Sequence, residues 1–128
     1  MPKSDAFPET FQTLRAMLER HRGRLVVVTD TADNFALASP TMVDRSGRPL
    51  FAAAVQIKKS YVSYHLVPVY VQPGLVDSLS PALRKRMQGK SCFNFTTIDA
   101  AEAKELAALT RKGLAGFKNL KLPWARPA

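Results

Sequence analysis

Residues 50–71 read LFAAAVQIKKSYVSYHLVPVYV, and their reading decides the fold. Leu50–Lys58 reads as one strand and Tyr61–Val71 as the next, with only Lys59 and Ser60 between them. So short a gap joins antiparallel strands, because a parallel pair needs a crossover of about a dozen residues or more. Upstream, the β-branched run Leu25–Asp30 reads as a first strand. Phe35–Val43 reads as a second, interrupted by Pro40. Asp33-Asn34 supplies the turn between them, and Asp44–Pro49 (DRSGRP) packs turn-forming residues into a loop. Four strands on short connections make an antiparallel meander, which Pro73-Gly74 ends.

Helical signals flank the meander. Phe7, Phe11, Leu14, Leu18 and His21 recur at helical spacing, with Gln12, Arg15, Glu19 and Arg22 opposite, so Pro8–His21 reads as an amphipathic helix stopped by Gly23. Ser80-Pro81 places a hydroxyl at an N-cap and proline in the first turn, starting a helix that runs to about Gln88, with Gly89 as its terminator. Ser91–Thr97 reads as a fifth strand. Asp99–Phe117 reads as a final helix, capped by the Asp99/Glu102 pair and burying Ala103, Leu106, Leu109, Leu114 and Phe117. The expected fold is α+β: helix, four-stranded antiparallel meander, helix, strand, helix, with the helices packed on one side of a mostly antiparallel sheet. Residues 1–118 form a single domain and 119–128 a basic C-terminal tail, where Trp124 docks on its own domain or on a partner.

A chain of 128 residues, 46% hydrophobic and 23% charged, is long and apolar enough to bury a core and excludes disorder for most of its length. Cys92 is the single cysteine, so no internal disulfide framework exists. No uninterrupted apolar run approaches the ~18 residues of a membrane span, and Met1–Asp5 carries no apolar signal region. The expected location is cytoplasmic, without a membrane partner; monomer and homodimer both stay open.

The net charge is +9. Arg84, Lys85, Arg86 and Lys90 lie in one acid-free stretch, and Arg111, Lys112, Lys118, Lys121 and Arg126 in another. These nine residues equal the whole excess, because the other ten basic residues balance ten acidic ones. Concentrated in this way, the charge either attracts a phosphate-bearing partner or forms a solvated face and a ragged tail.

Along a strand, Tyr61, Ser63 and His65 share one face, and Tyr64, Leu66 and Tyr70 the other. Tyr61, Ser63 and His65 together supply donors, acceptors and a group titrating near neutrality, which suits a pocket wall. A sealed sheet edge with a hydrogen-bonded histidine accounts for them equally. Gly89-Lys90-Ser91 is no phosphate-binding P-loop. Arg84 stands where the motif needs its first glycine, and a helix there runs into a strand rather than the reverse. Cys92, beside Lys90, is either an activated thiol or a small buried hydrophobe. His21, His65 and Cys92 have no metal-site spacing, and no cofactor fingerprint occurs.

The segments KKSYVSYHLVPVY (58–70), SPALRKRM (80–87) and GKSCFNF (89–95) resemble the YdhG-like family of small bacterial proteins. The resemblance covers roughly the middle half to two-thirds of the chain. It implies an α+β domain with an antiparallel sheet, and no particular activity. Members of the wider group are discussed as iron carriers, a role that needs clustered carboxylates this chain lacks.

The expected function is a non-enzymatic binding domain with a basic, aromatic groove for an anionic small molecule or partner. Lys58, Lys59, Tyr61, Ser63, His65 and Ser91 form its wall, and Arg84 and Lys90 supply charge from a helix closing it. A single-stranded nucleic-acid binder is the alternative. Behind both stands a small enzyme using His65 or Cys92, or an iron-handling protein.

Overall fold

Phe7, Phe11, Leu14 and Leu18, the apolar stripe of the first helix, are all buried against the sheet, which makes α1 (Phe7–Glu19) the organising helix of the core. The computed structural model describes residues 6–77, 79–89, 91–115, 117 and 126–127. After α1 come β1 (Val26–Asp30), β2 (Asn34–Val43), β3 (Pro49–Ile57) and β4 (Val62–Leu66). Next are α2 (Val67–Val71), a 3-10 turn at Pro73–Val76, α3 (Pro81–Arg84), β5 (Met87–Gln88), β6 (Cys92–Phe95), α4 (Ala100–Ala115) and β7 (Arg126–Pro127). The strands form one antiparallel sheet in the order β1-β2-β3-β4-β6-β5. β7 pairs with Met42 and Val43 of β2, beyond the point where β1 ends its pairing at Ala38.

One face of this sheet carries the core. Phe35, Leu37, Val55, Val62, Tyr64, Leu66, Phe93 and Phe95 pack with α1 and with Leu106, Leu109 and Leu114 of α4. The α+β layout with helices on one side of an antiparallel sheet is therefore what the chain adopts.

Four local readings are corrected. The fourth strand stops at Leu66 instead of Val71, because β4 lies between β3 and β6 and Pro68 has no N–H for a central ladder; the chain turns into α2 instead. Tyr70, expected to share a strand face with Tyr64 and Leu66, consequently sits on α2. The helix from Ser80 closes after one turn, since Met87 and Gln88 pair with Phe93 and Cys92. Gly89, with φ of +73°, is a turn residue of that hairpin and not a helix stop. Pro40 interrupts the second strand as read: it occupies a gap in the β2–β3 ladder between Ala38 and Val43, where the Ser39 hydroxyl accepts from the Thr41 and Met42 amides.

Both caps form as read. The Ser80 hydroxyl accepts from the Leu83 amide at 3.3 Å. Asp99 accepts from the Glu102 amide at 2.7 Å, while Glu102 accepts from the Asp99 amide at 3.2 Å. Trp124, Lys118 and Lys121 lie outside the described residues. No helix among the described residues is long and apolar enough to cross a membrane.

Candidate functional site

With the helices gathered on one face, the other face of the sheet is left open. In β4, Val62, Tyr64 and Leu66 are buried while Ser63 and His65 are half-buried on the open side, the alternation expected of a strand. Antiparallel register then builds two rows across that face. Thr29, Ala36, Ala54, His65 and Cys92 are successive cross-strand partners, as are Asn34, Gln56, Ser63 and Asn94. The alanines of the first row make a low floor, and a hollow of about 540 Å³ lies over it.

Phe51 enters this face through a β-bulge. Leu37 pairs with Ala53 and Ala38 with Phe51, so Ala52 is left without a partner and Ala52 and Ala53 both turn inward. Phe51 thereby lies on the same side as Ala54 and Gln56, despite the odd spacing. Its ring stands 5.0 Å from the His65 ring at 58°, within the tilted geometry that aromatic rings prefer. Phe51 and His65 also line a second hollow of about 370 Å³, with Val67, Tyr70 and Ser91. The two hollows thus share the Phe51–His65 pair.

Burial holds the His65 imidazole below its ordinary pKa, so near neutral pH it carries no charge and offers one donor and one acceptor. Cys92 is half-buried beside it. Among the described residues no hydrogen bond joins the two.

Of the residues read as candidates, Lys58, Tyr61, Ser63 and His65 come together around the larger hollow, and Ser91 joins His65 at the smaller. Lys59 is exposed in the β3–β4 turn and lines neither. Arg84 is on α3, which packs against α4 in the helical layer, and its guanidinium donates to the Val76 carbonyl at 3.0 Å. Lys90 lies outside the described residues. Asn34, Phe51 and Gln56 line the hollow without having been singled out. Ordinary alternation could have found Gln56 from Ile57 and Val55, but the triple alanine hides the bulge that admits Phe51.

Two carboxylates of the helical layer are engaged within the fold. Glu102 receives Arg86 Nε at 2.7 Å, and Glu105 receives both the amide and the hydroxyl of Ser80. No group of three histidine, cysteine or acidic side chains placed to hold a metal ion occurs among the described residues. Comparison with protein-family models, curated proteins and solved structures finds no match to this chain.

Proposed function

We propose that this protein is a non-enzymatic binding domain whose open sheet face takes a small anionic ligand bearing a planar ring. The paired hollows that share Phe51 and His65 carry this reading. A flat ring can lie over the Ala36–Ala54 floor against Phe51 and His65. Asn34, Gln56 and Ser63 offer hydrogen bonds at its edge, and Lys58 faces the anionic group. Binding is favoured over catalysis because the face offers ring-stacking and hydrogen-bonding side chains, whereas a thiol–imidazole pair activated through a hydrogen bond does not occur among the described residues.

A single-stranded nucleic acid would require a basic track beside the rings. Lys58 is the one lysine or arginine among the described residues lining the two hollows, which favours the small ligand. The likeness of residues 58–70, 80–87 and 89–95 to YdhG-like proteins bears on fold and adds no ligand.

The test is a thermal-shift screen of ring-bearing anionic metabolites, since a ligand selective for the folded state raises its melting temperature. A hit should perturb the His65 ring resonance and be lost in Phe51→Ala. A hit whose effect survives Phe51→Ala and leaves His65 unmoved would place the ligand elsewhere, and no hit at all would remove the proposal.

A further inference from the structure

The helical layer carries a separate feature. Thr10, near the start of α1, bonds the Thr96 carbonyl just ahead of α4, while Arg20 and Arg111 share a hollow near the two helix ends. The two helices therefore run side by side in the same direction. Between them lie hollows of about 300 and 530 Å³ that share Met17, Arg20, Ala107 and Arg111, and the small residues Ala16, Ala107 and Ala108 keep the cleft open.

The other arginines of this layer are engaged. Arg15 holds Asp30 and Glu19, Arg22 holds Glu19, Arg86 holds Glu102, and Arg84 holds the Val76 carbonyl. Arg20, Arg24 and Arg111 hold no such partner among the described residues, yet all three line one hollow. No carboxylate lines either hollow, and Lys104 adds a fourth cation along the cleft. Two helix C-termini end nearby, but their dipoles together contribute only about −1. Three guanidinium groups are left with an excess of about +2.

We propose that this cleft binds a compact multivalent oxyanion of the phosphate class, held by Arg20, Arg24 and Arg111, with Lys104 meeting a second phosphate group. Guanidinium forks match phosphate oxygens in pairs, which suits a small anion gripped from two helices and the loop after α1. The site is independent of the sheet face, where His65 lies.

His21 lines the same hollow as the three arginines and reports on it. Its imidazole is held below the ordinary value first by burial and then by Arg24, Arg111 and Arg20. An anion that neutralises those cations moves it back up. The chain has two histidines, so both ring signals can be followed by NMR while inorganic diphosphate is added. His21 should shift saturably and its pKa should rise, with His65 unmoved. Arg24→Ala and Arg111→Ala should each weaken binding about tenfold, the loss of one charge-assisted contact. Lys112→Ala removes the same charge from an exposed position of α4 that lines neither hollow, and it should leave the affinity unchanged. A His21 signal that does not saturate, or equal weakening by Lys112→Ala and Arg111→Ala, would overturn the proposal. So would a single-stranded oligonucleotide that moves His21 at lower concentration than diphosphate, since the site would then belong to a nucleic-acid backbone.

Discussion

The Tyr64 phenol stands 2.6 Å from the Thr110 hydroxyl, buried between β4 and α4. Thr110 also reaches the Leu106 carbonyl at 2.8 Å, which uses its one proton, so Tyr64 donates and Thr110 accepts. Burial pushes the phenol well above its ordinary pKa and keeps it a donor at every working pH. This relay is the polar tie between the central strand and the last helix.

Its two ends are unequal. Tyr64→Phe removes a donor and leaves Thr110 still bonded to Leu106, so it should cost about 1 kcal/mol. Thr110→Val strands a buried phenol and should cost about 2 kcal/mol. The double variant should be less destabilised than the sum, because the stranded group is gone. Urea unfolding of the four proteins measures this; strict additivity would deny the bond any role.

Glu102 is buried although charged, serving the Asp99 amide and Arg86 at once. Glu102→Ala should cost about 2 kcal/mol by removing a cap and a charge-assisted bond. Glu102→Gln keeps an acceptor for the cap and should cost about half as much. Equal losses in the two variants, read from urea midpoints, would show that the charge on Glu102 is irrelevant.

Arg86 also shows what a linear reading of charge cannot see. Its partner lies sixteen residues away and Arg84 is tied to a carbonyl, so two of the four cations in the 84–90 stretch serve the fold. Conversely, Arg20 and Arg24 are among the ten basic residues that the ten acidic ones balance in the total, yet they meet Arg111 across two helices. Local chemistry was legible: the Ser80 cap, the Asp99/Glu102 box and the alternation of β4 depend on residues within a few positions. Gly89 fits a helix stop and a hairpin turn equally well, and only the pairing of Met87 with Phe93 decides between them. The same holds for the site. Ser63 and His65 follow from period two, whereas Phe51 depends on a bulge set by the strand across from it.

Both histidines are held below their ordinary value, His65 by burial and His21 by burial and then by Arg24, Arg111 and Arg20. As pH falls, the unfolded chain therefore takes up protons before the folded one does. Stability is intact above the unfolded value near 6.5 and is lost as pH drops through it. Urea midpoints measured between about pH 8 and pH 5 should fall, within the range where histidine titrates. His21→Gln and His65→Gln should each flatten the decline, and a flat wild-type profile would contradict it.

Cys92 lies directly across from His65 in antiparallel register, on the face where the larger hollow sits. Directly opposed side chains have Cβ atoms about 5 Å apart, so a group added to the thiol must sit against the imidazole. Iodoacetamide should label Cys92 in the folded protein more slowly than in urea, because the side chain is only half-buried. The adduct should shift the His65 ring signal and leave His21 in place, since His21 lies in the helical layer. It should also abolish the melting-temperature rise given by any sheet-face ligand, by occupying the hollow beside His65. A thiol that labels only in urea would mean the face is closed to solvent. An adduct that spares ligand binding would move the ligand off the Phe51–His65 pair, while leaving the arginine cleft between α1 and α4 untouched.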